Sequence, residues 1–287
     1  MNRTKLWLGI GAFVLIGTDA SVISVPQADV ARDESGAQLS ASNLSSPSHA
    51  LIFAQASAGG EGGEGGEGGE AGIDAATAEK DPVAYGVAIE VIAAHYHAGL
   101  AAYQAGNKEA GAEMFAHGHS EVYAEMADVF AKLGVKGLGE KLEAAVAAAS
   151  GGARNKDIRK QVAGVMTALG EAAKAGPSGG DPMVVKTRVV AEMLDRAAAQ
   201  YAVAIKGKSF EPYLDGLGFL ASARAGSKEV LPWLRKRNAK QAADLEAALK
   251  LGAKAYPGVS RPAKPAVDAG QFLAAASTVK LEASRLD

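Results

Sequence analysis

Four of the five histidines in this chain lie close together, in two H-x-H pairs. The pairs are His95/His97 and His117/His119, and between them runs Gln-Ala-Gly-Asn-Lys, a helix stop followed by a helix start. This pattern predicts two antiparallel helices joined by a turn at Gly106-Asn107. With that turn, His95 lies opposite His119. By the same count His97 lies opposite His117, so all four imidazoles are expected at one level of the hairpin, an arrangement that favours a metal site.

Helical periodicity predicts which of these rings point inward. On the second helix, apolar residues at helical spacing mark a buried stripe that includes His119, whereas His117 falls nearly opposite. On the first helix, His95 and His97 flank the buried stripe on opposite sides. The stripe residues are Ile89, Ile92, Tyr96, Leu100 and Tyr103 on the first helix, and Phe115, Val122, Met126, Val129 and Leu133 on the second.

Carboxylates complete the candidate site. Glu121 follows His117 by one helical turn, so the two share a face, and Glu90 shares the flank of His97. An H-x-H pair on a regular helix splays its rings by about 200° around the axis. A site therefore takes one histidine from each helix plus a carboxylate, or there are two sites, unless a local departure from α geometry brings a pair together. We expect His97, His117 and His119 as ligands, with His95 next and with Glu121 and Glu90 as supporting carboxylates.

Imidazole with carboxylate suits Zn²⁺, Cu²⁺, Fe or Ni²⁺, and we expect Fe, Cu or Zn, with iron or copper preferred. The chain has no cysteine, which excludes thiolate metal sites, disulfides and covalently attached c-type haem. A b-type haem between helices is a third possibility, since Met114, Met126 and the histidines offer axial ligands. No H-E-x-x-H, G-x-S-x-G or P-loop motif occurs, so we do not expect an enzyme.

The composition predicts an all-α fold, a multi-helix bundle built from antiparallel hairpins. Hydrophobic residues make up 48% of the chain, much of this is alanine, and aromatic residues make up only 6%, which favours helix. The formal net charge is −2, and no stripe of basic and aromatic residues occurs. Nucleic acid is therefore not an expected partner.

The N-terminal part of the sequence predicts export and a disordered leader. Residues 1–20 resemble a signal peptide, with Arg3 and Lys5 before a short apolar run, and cleavage is expected near Ala20 or as late as Ala56. An uncleaved anchor is the alternative. Residues 21–73 include the repeat GGEGGEGGEGGE, which predicts a solvated spacer that at most collects cations loosely. We expect the protein in the periplasm or at the cell surface.

The remaining sequence predicts two helical halves, residues 74–175 and 181–287, separated by a Gly/Pro/Ser-rich break. Each half opens with an Asp-Pro helix start, and the second half contains no histidine. In the second half we expect a short helix after the turn at Gly216 to Gly218, and then a long helix over 228–256. A secondary polar cluster at this junction either caps the helix or contributes to a site, and its members are Glu211, Tyr213 and Asp215.

Three stretches resemble known groups of exported proteins. The first two resemble all-helical proteobacterial proteins with a Gly-Gly-Glu leader; they comprise His97, Leu100, Tyr103 and Gly106, and His117, His119, Glu121 and Tyr123. Residues 197–223 are similar to the extracytoplasmic helical domains found with high-affinity iron permeases. The G-x-H-x-x-E signature of imelysin-like proteins is not met, because Gly118-His119 is followed by glutamate one position too early. These resemblances imply a periplasmic, metal-associated protein.

Together these features predict an exported helical protein that binds a transition metal for uptake, storage or delivery. A membrane transporter or an envelope protein is the expected macromolecular partner. The rival interpretation is a structural or protein-interaction module of the cell envelope with no metal. The first interpretation requires imidazoles that converge to within about 4–5 Å of each other, whereas the second predicts diverging imidazoles and an exposed apolar patch.

Overall fold

The computed structural model describes residues 72–287. These residues are 79% helical and contain no strand, so the predicted all-α class is confirmed. The predicted signal peptide at 1–20 and residues 21–71 of the predicted leader at 21–73 lie outside the described residues. At the end of that leader the structure differs from the prediction, because Ile73 is buried in the apolar core. Across residues 72–287, no helix combines the length and the apolar character needed to cross a membrane.

Ten α-helices and one π-helical segment follow one another along this part of the chain. They are α1 (Ala75–Ala78), α2 (Pro82–Gln104), α3 (Lys108–His117), the π segment (Gly118–Tyr123), α4 (Ala124–Lys132), α5 (Leu138–Ser150), α6 (Asn155–Lys174), α7 (Pro182–Lys206), α8 (Glu211–Arg237), α9 (Ala239–Ala255) and α10 (Ala269–Ser284). Both predicted Asp-Pro starts are present, since the Asp81 and Asp181 carboxylates accept backbone N–H groups at the starts of α2 and α7.

Helix α2 lies at the centre of the bundle and packs against α3, α6, α7 and α8. The first hairpin, α2 with α3, has the predicted register, because Tyr96 lies opposite Gly118 and Tyr103 lies opposite Gly111. Glycines make this approach possible. A Cβ atom on Gly111 would lie only 2.8 Å from the Cβ of Tyr103, and one on Gly118 would lie 3.1 Å from the Cβ of His95.

Helix α8 crosses α2 in the same close manner. The Ser222 hydroxyl donates to the Glu90 carbonyl over 3.2 Å, and a Cβ on Gly218 would collide with the Ala94 carbonyl. The predicted turn at Gly216 to Gly218 is therefore wrong. Both glycines are inside α8, where neighbouring atoms exclude a side chain.

The predicted long helix over 228–256 is also wrong. Helix α8 runs without a break through Pro232 and ends at Arg237. The next residue, Asn238, caps α9 with its side chain, which accepts the Gln241 N–H. A proline inside a helix costs about 3 kcal/mol, and the packing of α8 against α2, α7 and α9 offsets that cost.

Tyrosine hydroxyls tie the helices to distant parts of the backbone. Six of them donate to carbonyl oxygens far along the chain, and each of these tyrosine side chains is buried. Such bonds satisfy the polar end of a buried ring, so the few aromatic residues both fill the core and position the helices. The bonds are Tyr85 to Ala172, Tyr96 to Leu142, Tyr103 to Ala153, Tyr201 to Val267, Tyr213 to Gly258 and Tyr256 to Ala197.

Adding a methyl group at the α2–α3 contact should destabilise the protein. A Cβ on Gly99 would lie 2.6 Å from Phe115 Cε1, so we expect Gly99→Ala to lower the free energy of unfolding by about 1–3 kcal/mol. Gly170 in α6 has no atom near its Cβ position, and Gly170→Ala should instead stabilise by about 0.5–1 kcal/mol through helix propensity. Denaturant unfolding of both variants measures these changes. Equal stabilisation by the two substitutions would show that α2 and α3 do not approach this closely.

Candidate metal centre

Three predicted ligands converge where α2 meets the end of α3. One ligand atom from each of His95, His117 and Glu121 lies within 4.8 Å of the other two. Among the described residues this is the one His/Cys/Asp/Glu group of three or more with that spacing. His95 is buried, and His117 and Glu121 are half-buried. The group has the predicted form of one histidine from each helix plus a carboxylate.

The π segment explains why His117 joins this group. Each residue in a π turn rotates less around the helix axis than a residue in an α-helix. One π turn therefore changes the direction in which the side chains on either side of it point by about 100°, the rotation of one α-helical residue. Counted back from Val122 in α geometry, His119 falls on the buried stripe and His117 lies nearly opposite. The wider turn keeps Gly118 on the stripe against Tyr96. It thereby brings His117 to one flank of the contact and moves His119 to the other.

The predicted order of the ligands therefore does not match the geometry. An antiparallel hairpin has an approximate two-fold axis, so the residue before Tyr96 and the residue before Gly118 lie on the same side of the contact. These residues are His95 and His117, whose ring centroids are 6.3 Å apart. His97 and His119 follow the contact residues and lie on the other side.

The other three predicted ligands have different surroundings. The His119 ring stacks on Tyr123 with centroids 5.6 Å apart. His97 is half-buried on α2, and burial lowers its pKa. Burial raises the pKa of Glu90, and the nearby Ser222 hydroxyl and Lys186 ammonium partly oppose this rise. None of these three residues belongs to the convergent group.

A hydrogen bond orients the His95 imidazole, and two carboxylates lie next to the His117 imidazole. His95 Nδ1 lies 2.9 Å from the Val91 carbonyl oxygen; since a carbonyl only accepts, Nδ1 carries the proton and Nε2 keeps its lone pair. His117 Nδ1 lies 3.4 Å from Glu211 Oε1, and His117 Nε2 lies 3.9 Å from Glu121 Oε1. A carboxylate on the far nitrogen is how proteins commonly orient a metal-binding histidine. Both Nε2 atoms are therefore available to an ion.

Asp215 adds a carboxylate to the histidine side of the group. Its Oδ1 lies 3.7 Å from His95 Nε2, is buried, and has no hydrogen-bond partner. Burial raises the pKa of Asp215 to about 7, repulsion from Glu211 and Glu121 adds to the rise, and His117 opposes it. Burial also lowers the pKa of His95 to about 4. His95 is thus neutral at pH 7, and its contact with Asp215 is not an ion pair.

The group lines a cavity of about 270 Å³ between α2, α3, α7 and α8. On the α7 side, the Arg196 guanidinium lies over the Phe219 ring at 6.0 Å and donates to the Gly72 carbonyl over 3.4 Å. The lining residues are His95, His117, Glu121, Arg196, Ala199, Gln200, Glu211, Asp215 and Phe219. Sequence periodicity gave no signal for Arg196, which lies in the second half of the chain and meets the histidines only in the folded protein.

The secondary polar cluster divides between two environments. Glu211 and Asp215 line the cavity, which places carboxylates from the second half of the chain beside histidines from the first. Tyr213 points elsewhere and donates its hydroxyl to the Gly258 carbonyl over 2.8 Å. Met114 and Met126 are buried in the apolar core and do not line this cavity.

The buried Asp215 should destabilise the metal-free protein at high pH. A raised pKa in the folded state means that stability is full below the unfolded value of 3.8 and is lost as pH rises through about 7. We therefore expect Asp215→Asn to stabilise the metal-free chain by a few kcal/mol (about 1.4 kcal/mol per pKa unit) at pH 8, with little effect near pH 4. Urea unfolding at both pH values, with chelator present, measures the difference. An increase in the free energy of unfolding at pH 4 equal to that at pH 8 would show that the effect does not come from ionisation of Asp215.

Comparisons with protein-family models, curated proteins and solved structures found no match to this chain. The resemblances noted in the sequence therefore stay predictions. What the cavity does has to be argued from its own donor atoms, charges and shape.

Proposed function

We propose that this protein is exported and binds one transition metal ion through His95 Nε2, His117 Nε2 and Glu121, for metal uptake, storage or delivery. The observation that carries the proposal is the convergence of these three ligand atoms to within 4.8 Å of one another. The two imidazoles come from different helices, and both have their Nδ1 atoms engaged. An ion drawing the three side chains together would need only small side-chain movements.

The donor set favours a borderline metal. Two imidazoles with carboxylates suit Fe²⁺, Zn²⁺ and Cu²⁺. Asp215 is the best-placed fourth ligand, since its buried Oδ1 faces His95 and has no hydrogen-bond partner. Glu211 is better placed to hold His117 than to bind the ion, because it is next to Nδ1.

The charges of the cavity match a divalent cation. Three carboxylates and one guanidinium line it, while His95 is neutral. With Asp215 ionised, a divalent ion balances this charge and relieves the repulsion that Glu211 and Glu121 exert on Asp215. The apo protein thus contains a destabilising carboxyl group that a bound ion would convert into a stabilising ligand.

Access from solvent fits storage or delivery. Ala199 is exposed, and the Glu211 side chain is 53% exposed, so one edge of the cavity reaches the surface. The rival interaction module finds less support, because Val203 and Leu281 are the large apolar side chains that are mostly exposed among residues 72–287. These two side chains lie on different helices, α7 and α10, whereas the interaction module predicts an exposed apolar patch.

Metal titration of matched double variants tests the proposal. We expect the full chain without a histidine tag to bind one ion per molecule and to melt at a higher temperature when loaded, because the ion binds the folded state. His95→Ala/His117→Ala should weaken binding by at least about 100-fold, since removing even a supporting residue costs 10–100-fold. His97→Ala/His119→Ala should bind like wild type. Calorimetry with Fe²⁺ under anaerobic conditions, Zn²⁺ and Cu²⁺ measures all three proteins.

The alternative results are distinguishable. If only the His97→Ala/His119→Ala variant loses binding, the ligands are those expected from the sequence, His97 and His119, and not the convergent group. Absence of stoichiometric binding in wild type would remove the metal function and leave the interaction module as the better interpretation.

Export is tested separately with a reporter enzyme that is active only outside the cytoplasm. Residues 1–58 carry two basic residues before an apolar run, so we expect their fusion to the mature reporter to be active in a bacterial host. Leu15→Arg interrupts the apolar run and should abolish the activity while leaving the amount of fusion protein unchanged. Activity that survives Leu15→Arg would contradict an export signal at this position.

A further inference from the structure

The wall of the cavity that α7 provides contains no carboxylate and no imidazole. Arg196, Ala199 and Gln200 form this wall. The Arg196 guanidinium is engaged by the protein, since the carboxylates of Glu192 and Asp195 act on it electrostatically. Gln200 lies one turn further along α7, and its side-chain amide forms no hydrogen bond with any other of residues 72–287. The Gln200 amide is therefore the group of this wall that is available to a ligand.

The charges around the cavity favour an uncharged ligand over an anion. Three carboxylates and the Arg196 guanidinium line the cavity, and a divalent ion at most balances their charge. The positive charge of Arg196 is shared with carboxylates outside the cavity. An anion that entered beside the ion would therefore meet like charges, whereas a neutral molecule would not. The lining carboxylates are those of Glu121, Glu211 and Asp215.

A bound Fe²⁺ ion would have coordination positions to spare. His95, His117 and Glu121 supply two imidazoles and one carboxylate, and Asp215 can add a second carboxylate. Iron commonly takes about five or six ligands, and non-haem iron sites with two imidazoles and one carboxylate use their open positions for dioxygen chemistry. The cavity volume of about 270 Å³ exceeds what one ion needs, given that a water molecule occupies about 30 Å³ in the liquid. The remaining space lies toward α7, which contributes none of these ligands.

We propose that the Fe²⁺-loaded site binds a neutral diatomic molecule of the dioxygen type between the ion and α7, with the Gln200 amide donating a hydrogen bond to it. This inference rests on the proposed metal function and names a ligand for the same site. Phe219, which meets the His95 ring edge-on, and Ala199 give the space an apolar surface that suits such a molecule. Dioxygen bound to iron carries partial negative charge, which a fixed N–H donor stabilises.

Two substitutions separate the diatomic ligand from the metal. Gln200→Leu removes the hydrogen-bond donor at similar volume, and Ala199→Leu fills the cavity from an exposed position. Neither changes a proposed metal ligand. Gln161→Leu is the matched control, because Gln161 is a half-buried glutamine of α6 outside the cavity.

The experiment is an anaerobic titration of the full chain with nitric oxide, the probe for a neutral diatomic ligand. The protein is loaded with less than one equivalent of Fe²⁺, and electron paramagnetic resonance follows the high-spin iron–nitrosyl signal. We expect saturable binding, with a dissociation constant raised at least about fivefold in Ala199→Leu and roughly two- to tenfold in Gln200→Leu. Gln161→Leu should titrate like wild type, and added acetate should leave the dissociation constant unchanged.

The possible failures are distinct. Protein-bound Fe²⁺ that gives no iron–nitrosyl signal, or that binds nitric oxide equally well in wild type and Ala199→Leu, would overturn the diatomic ligand and leave the metal site intact. A Gln200→Leu variant that titrates like Gln161→Leu would overturn the position beside the amide. Displacement of nitric oxide by acetate would overturn the preference for a neutral ligand. Absence of protein-bound Fe²⁺ would overturn the metal function itself, and the diatomic ligand with it.

Discussion

The contact between backbones at α2 is the constraint on which this structure depends. Gly118 of the π segment meets Tyr96, and Gly218 of α8 meets the Ala94 carbonyl. Because glycine has no side chain, the helix axes approach closely at these two points. The residues next to the contact then lie at its edges. His95 therefore meets side chains from both neighbouring helices. A bulkier residue at either glycine would separate the helices and disperse the site before any ligand was changed.

The polar groups of the cavity differ from those of the tyrosine-rich core. In the core, six buried tyrosine hydroxyls are satisfied by backbone carbonyls, and outside the cavity the buried side-chain oxygens of Gln241 and Glu282 also have no hydrogen-bond partner among the described residues. At the cavity, a buried carboxyl oxygen of Asp215 has no hydrogen-bond partner and faces two like charges. Local conflicts of this kind concentrate at functional sites, where stability is lost so that a ligand can restore it. The same atoms thus account for a weakness of the fold and, under the proposed function, would supply the affinity for a cation.

Helix positions follow from local signals wherever these are strong. Asp81 and Asp181 cap their helices as their Asp-Pro sequences predict, because a cap depends on residues only two or three positions away. The predicted turn at Gly216 to Gly218 and the predicted helix over 228–256 are wrong because distant contacts decide the structure there. Pro232 and Gly218 are poor helix residues locally, yet both lie within α8, since packing against α2 and α7 outweighs their intrinsic preference.

The sequence alone determined which histidines are candidates for the site and their level in the hairpin. Histidine spacing and one turn at Gly106-Asn107 bring four imidazoles to the same height, because position along a helix is a matter of counting residues. Which side each ring faces was decided only in three dimensions. The π turn rotates His117 toward His95 and His119 away, and α8 brings Asp215 and Glu211 to the cavity. The side that a ring faces depends on the geometry of each turn of its helix and on the helix that packs against it. A change of rotation equal to one residue therefore brought together a different pair of histidines from the pair that was expected.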